Sequence, residues 1–248
     1  MLGACGNDTS EEDPKPGRDA GSDSAAQSGE PDDLREVSCV DQSISELMLF
    51  DDPAVGTIRD EAGEGDGFYN LIDATGGGLN AKSSFVYARF GEDGLEKVSL
   101  SDEEAFESLD WDIAFRRYVV RLNSGVSGPG DVTAARTRPS TAYLELTSTP
   151  EDLEFRTEEY FSDDGCEFVP DTSGIGAPAT ALSSFWKYQS CVQMTKNVYV
   201  VALPKDRYVK LEMLSYYAPD NQRICDDTGQ VPMPSGAGNM RIRWDFLE

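Results

Sequence analysis

The sequence predicts an all-β domain, an antiparallel β-sandwich with long loops and a few short helical turns. Two patterns carry this expectation. Short runs of alternating, β-branched or aromatic residues recur from Phe68 to Phe246, separated by glycine, proline and aspartate turn signals. Runs with a helical period are few and short, so two sheets packed face to face are the architecture that buries the apolar faces. Length sets the scale, because 248 residues allow an ample core in one large or two small domains.

Residues 1–5 contain Leu2-Gly3-Ala4-Cys5, which has the form of a bacterial lipobox and makes this stretch a signal-peptide remnant. The plainer alternative is a stray thiol. Lipidation at Cys5 supplies more than one acyl chain, which stable anchoring requires. Gly6, rather than an aspartate, favours outer-membrane sorting. The expected location is the cell envelope, as an outer-membrane lipoprotein that is surface-exposed or periplasmic and meets the membrane only through Cys5. Residues 6–38 hold ten acidic and three basic residues and almost nothing apolar, too little to offset chain entropy. They are expected to form a disordered acidic tether, leaving residues 39–248 as the β domain.

Within the domain, the apolar residues from Ile44 to Phe50 form either one short helix or an opening strand. Residues 61–67 are an acidic glycine loop without the ligand order of an EF-hand. Strands are expected over residues 68–72, 84–90 and 95–100, the last two joined by a hairpin at 91–94. Ser101 and Glu104 have capping-box spacing and predict a helical turn through Glu107.

Residues 110–130 join the longest strand signal to the clearest glycine loop. Trp111, Ile113 and Phe115 share one parity, whereas Tyr118, Val120 and Leu122 share the other. Either a β-bulge near Arg116-Arg117 repairs the phase, or both faces of a central strand are buried. Gly125, Gly128 and Gly130 lack the Lys-Ser/Thr pair and following helix of a phosphate loop, and read as a structural turn.

The stretch 131–195 is the least regular. Residues 141–147 alternate and are expected as a strand, 151–160 as a short helix and 171–180 as a loop. Long connections on a β scaffold are where a ligand site is most naturally built. The end reads as a meander: residues 198–203, a turn, 208–217, a long loop containing Cys225, and a final strand with Met240, Ile242, Trp244 and Phe246 on one side.

Charge and composition exclude several functions. A formal charge of −25 repels nucleic acid. The absence of histidine removes serine-histidine and cysteine-histidine nucleophile systems and every histidine metal site. Carboxylates are too abundant for a pair of them to signal a glycosidase, so no enzyme is expected. Cys39, Cys166, Cys191 and Cys225 are an even number in a chain that reads as exported, and two disulfides with three open connectivities are expected.

The run Trp111-Asp112-Ile113-Ala114-Phe115, its arginine-rich continuation, and Asn123-Ser124-Gly125-Val126-Ser127-Gly128-Pro129-Gly130 resemble the signature region of the HmuY family of exported haem-binding lipoproteins. Residues 198–201, 210–217 and 240–244 are similar to that family's final strands, so the resemblance covers roughly residues 65–248 with a weakly matching middle. It implies a sandwich of HmuY-like type and a protein that captures haem or a related porphyrin and passes it to an outer-membrane receptor. Members hold the iron through two side chains, histidines or in some relatives methionines. This chain has no histidine, and no methionine between Met48 and Met194. Haem ligation would then fall to Tyr143, Tyr160, Tyr188 or Met194. Each also has a plainer place in core packing. The alternative is a HmuY-fold binding or adhesion module that has lost haem and recognises another ligand.

Overall fold

The structure is a computed structural model that describes residues 34–76 and 82–248; the lipobox with Cys5 and most of the expected tether lie outside these. Helix α1 (Val40–Glu46) follows Cys39 and takes in only Ile44 of the apolar run left open as helix or strand, Leu47–Phe50 forming neither. Strands β1 (Ile58–Asp60), β2 (Phe68–Asp73), β3 (Val86–Gly91) and β4 (Gly94–Val98) come next. They are followed by β5 (Ile113–Arg116), β6 (Val119–Leu122) and β7 (Thr133–Arg136). After a long irregular stretch come β8 (Trp186–Tyr188), β9 (Val192–Met194), β10 (Val198–Leu203) and β11 (Arg207–Ser215). Helix α2 (Pro219–Thr228) and strand β12 (Asn239–Leu247) end the chain.

The strands form a six-stranded antiparallel sheet in the order β1-β2-β12-β11-β10-β7, a four-stranded one in the order β4-β3-β5-β6, and the β8-β9 hairpin. The expected sandwich is present. Met240, Ile242 and Trp244 of β12 share one buried cluster with Ile113, Phe115, Val120 and Leu122 of the other sheet. The rings of Phe90 and Trp244 meet edge to face at 4.9 Å across the two sheets. The Trp244 indole N–H donates to Asn70 Oδ1 at 2.7 Å, so the largest side chain of the core buries no unpaired polar atom.

The parity change in the WDIAF stretch has a different cause from the bulge considered above. A two-residue turn at 117–118, with Arg117 at φ 53°, folds the run back on itself, and Arg116 pairs with Val119. Both faces are also buried: Ile113 and Phe115 enter the inter-sheet core, while Ala114 packs with Tyr87, Trp111 and Tyr160 on the other side. The glycine loop is structural. Gly125 sits at φ 54°, and a Cβ there would meet the Glu158 carbonyl oxygen at 2.2 Å.

Residues 141–147 are not a strand; a single 3₁₀ turn at Tyr143–Glu145 stands in its place. Tyr143 and Leu146, three residues apart and so on one side of that turn, lie over Val198 and Val200, on the outer face of β10. Residues 151–160 form no helix, because Arg156 bridges to Ala134 of β7 instead. The expected Cys225 loop is α2, with Pro219 at its start and Gly229 at φ 71° closing it through an N–H bond to the Cys225 carbonyl at 2.8 Å. The capping box is as read: Ser101 N–H donates to Glu104 Oε2 at 2.8 Å, and Glu104 N–H to Ser101 Oγ at 3.1 Å.

Two disulfides are present, Cys39–Cys166 and Cys191–Cys225. The first ties the start of α1 to the segment covering the outer face of the four-stranded sheet. The second ties β9 to α2.

Candidate functional site

The four side chains expected to ligate haem do not converge. Tyr160 is fully buried, and its hydroxyl pairs with Ser127 Oγ at 2.9 Å. Tyr143 is buried in a separate group on the far side of the six-stranded sheet, with the Arg243 guanidinium over its ring at 4.1 Å and Lys210 Nζ at 4.8 Å. Burial pushes both phenols up, away from the phenolate that binds iron. Met194 lies in the inter-sheet core. Tyr188 alone is open to solvent, 42 % exposed. The register Trp186↔Met194 and Tyr188↔Val192 places Tyr188 and Met194 on one face of the β8-β9 hairpin, at its exposed and buried ends.

The irregular stretch does build a cleft, of about 490 Å³, within the range of ligand pockets. One wall comes from β7. Ala134 and Arg156 exchange N–H···O bonds of 2.9 and 3.1 Å, as an antiparallel pair does. The same register sets Arg136 opposite Glu154 and Arg138 opposite Asp152, and the Arg138–Asp152 ion pair follows from it. Arg136, Arg156, Glu154 and Asp152 therefore share the face that lines the cleft. The guanidinium groups of Arg136 and Arg156 have no ion-pair or hydrogen-bond partner among the described residues.

The rest of the lining carries Asp171, Thr172, Ser183 and Ser184, and Ala179 and Ala181, like Ala134 of β7, are small enough to leave depth. Asp171 is held by Ser173, whose N–H and hydroxyl donate to Oδ1 at 3.1 and 2.5 Å. Ala181 N–H donates to buried Glu158, and Ser184 Oγ pairs with the Tyr199 hydroxyl at 2.7 Å. Nothing in the sequence reading singled out Arg136 or Arg156. Their signal was the every-other-residue arginines of Ala135-Arg136-Thr137-Arg138, matched by the charges of 152–156.

Haem does not fit this cleft. Its lining holds no tyrosine, methionine or cysteine to meet an iron, and its apolar surface is limited to three alanines and Pro170. A second, more apolar cleft of about 380 Å³ between Leu34, Val37, Ile44 and Phe106 likewise offers no such ligand. Among the described residues, no group of histidine, cysteine or carboxylate side chains is arranged to hold a metal ion.

The model of the HmuY protein family matches residues 81–226, more than half of the chain. Among solved structures the chain is similar to a candidate HmuY-like haem-binding protein of Bacteroides vulgatus, at 17 % identity and a TM-score of 0.46, covering 75 % of this chain and 95 % of that one. It is also similar to a candidate lipoprotein of Bacteroides fragilis, at 15 % identity and a TM-score of 0.43 over 75 % of this chain and 93 % of that one. A third is the apo form of a HmuY analogue of Tannerella forsythia, at 15 % identity and a TM-score of 0.41 over 80 % of this chain and all 100 % of that one. No curated protein matches the chain.

Proposed function

The chain belongs to the HmuY family, a family of non-enzymatic haem-binding proteins, and from that premise we propose that it is an exported binding protein that takes its ligand in the cleft beside β7 rather than by paired ligation of a haem iron. One observation carries this reading: three of the four side chains expected to ligate iron are packed in three separate buried groups, while the cleft beside β7 is lined by polar side chains. Reaching an iron with Tyr143, Tyr160 or Met194 means unpacking a core residue, which costs several kcal/mol on the scale of about 2–5 for deleting such side chains. The ligand in this proposal is a small polar molecule other than haem.

The same proposal places the chain in the cell envelope as a lipoprotein, anchored through Cys5 with the acidic stretch 6–38 as its tether, and passing its ligand to an outer-membrane receptor. No helix among the described residues is long and apolar enough to cross a membrane.

A second reading is haem carriage with Tyr188 as the single axial ligand, favoured by the family and by the exposure of that ring. Haem titration followed by visible absorption separates the two. A Soret band that stays as in free haem supports the cleft reading; a saturable shift overturns it in favour of Tyr188.

A further inference from the structure

We propose that the cleft beside β7 is an anion-receiving site, in which Arg136 and Arg156 grip a carboxylate or phosphate of a small polar ligand while Asp171 accepts hydrogen bonds from its other end. The inference rests on the reading that the ligand occupies this cleft, and it names the class of ligand.

The charge balance of the chain makes the two arginines unusual. Acidic residues outnumber basic ones 46 to 21, so a guanidinium has carboxylates to spare around it. Arg138 takes Asp152, yet the Arg136 and Arg156 guanidinium groups have no ion-paired carboxylate among the described residues, Arg156 acting on buried Glu158 only through its field, although both stand in a cleft that also contains Glu154. Arg156 is the bridge partner of Ala134 and Arg136 lies two residues further along β7, which makes the two arginines diagonal neighbours on one face, roughly 7–8 Å apart at the backbone. Two guanidinium forks at that spacing can each offer a pair of parallel N–H bonds to one oxyanion, the geometry that favours arginine over lysine at carboxylate and phosphate sites. Both side chains are exposed at the cleft. They need not be stripped of water until a ligand enters.

The rest of the lining suits the remainder of such a ligand. Ala134, Ala179 and Ala181 place no long side chain across the cavity. Asp171 is fixed by its bonds to Ser173, and its buried Oδ2 is left with no hydrogen-bond partner among the described residues, so a side-chain shift at the cleft wall accompanies its use by a ligand. Such an acceptor suits a hydroxyl or ammonium donor and repels a second anion. A ligand carrying one anionic end and hydrogen-bond donors at the other satisfies both walls, whereas a purely anionic or uncharged one satisfies only one of them.

The test uses the full chain labelled with nitrogen-15. Amide spectra are recorded during titration with inorganic phosphate, with gluconate, which joins a carboxylate to hydroxyls, and with uncharged sorbitol. Gluconate, phosphate or both are expected to shift the amides of residues 134–136, 154–156 and 181–184 saturably, and sorbitol to leave them in place. Arg136→Gln and Arg156→Gln are each expected to weaken that binding about tenfold or more, with the remaining amides unmoved as the control for folding. Saturation by gluconate alone assigns a carboxylate source, and saturation by phosphate alone a phosphate source. The inference is overturned if neither anion moves these amides, or if the glutamine variants bind as tightly as the parent. Sorbitol binding as well as gluconate also overturns it, but leaves the cleft as the ligand site. The haem titration decides that underlying reading separately.

Discussion

The Glu158 carboxylate accepts the backbone N–H of Ala181 at 3.1 Å, and so fastens one wall of the cleft to the buried centre of the domain. Its other oxygen accepts Leu122 N–H of β6 at 2.8 Å. Burial pushes this carboxyl up to about 7, against the two N–H bonds and the charges of Arg121 and Arg156, which pull it down. The folded value lies above the unfolded one, so folding is favoured by holding the proton. That contribution is complete below about pH 4.3, the unfolded value, and is lost as the pH rises through about 7. Urea midpoints of the parent are therefore expected to fall between pH 5 and pH 8, and Glu158→Gln to flatten that slope. Superimposable pH profiles for the two proteins would contradict this account of Glu158.

The two disulfides close loops of very different size, with sequence separations of 127 for Cys39–Cys166 and 34 for Cys191–Cys225. Their Cα distances of 5.5 and 6.1 Å both lie inside the range a bridge requires. Removing either by paired alanine substitution is expected to cost on the order of 2–4 kcal/mol, with the longer loop costing about 1 kcal/mol more. Denaturant unfolding of the two double variants checks the order, and thiol titration of the parent should find none of these four cysteines free.

Much of this fold was legible because strand burial has period two. Met240, Ile242 and Trp244 alternate with Arg241 and Arg243 in sequence and also in burial. The capping box at Ser101 and the 91–94 hairpin are local devices, visible without tertiary knowledge. The turn at Arg117 was hidden because a non-glycine residue takes the positive φ that a hairpin normally signals with glycine or asparagine. The alternation of residues 141–147 does not carry over into burial: Tyr143 and Leu146, three apart, pack on the sheet while Leu144 is exposed, the spacing of a 3₁₀ turn rather than of a strand. Helix α2 was hidden because its buried residues are Gln222 and Cys225, so no apolar stripe of helical period distinguishes it from a polar loop. The irregular middle does contain a cleft, but its walls were not legible: Arg136 and Arg156 come to one face only through the long-range pairing of β7 with Arg156.

Asp102 is fully buried and holds the centre of the four-stranded sheet's outer face together. It accepts bonds from Phe85 N–H at 2.8 Å, Phe50 N–H at 3.1 Å and the Tyr87 hydroxyl at 2.8 Å, with Arg116 Nη1 at 3.4 Å. The Arg116 and Arg121 guanidinium groups each lie 4.1 Å from the Phe85 ring centre, and Asp102 is the carboxylate within 4 Å of both. Asp102→Ala is expected to cost about 3–5 kcal/mol, because it leaves buried donors and charges without their partner. A loss below about 1 kcal/mol in equilibrium unfolding would show that water or rearrangement replaces it.

Lipidation at Cys5 is expected in the native host, from Leu2-Gly3-Ala4-Cys5 and the acidic stretch that follows. Intact-mass measurement of detergent-extracted protein should show acyl chains on the N-terminal cysteine. An unmodified N-terminus there rules out the anchor.

The most direct test of the cleft as the ligand site compares the parent and Tyr188→Phe during titration with haem and with metal-free protoporphyrin, followed by visible absorption. The account predicts no saturable change with either compound in either protein, since no buried tyrosine or methionine can reach an iron and the cleft is too polar for a porphyrin face. A stoichiometric, high-spin ferric haem spectrum in the parent that disappears in Tyr188→Phe would contradict it, and would make Tyr188 the iron ligand.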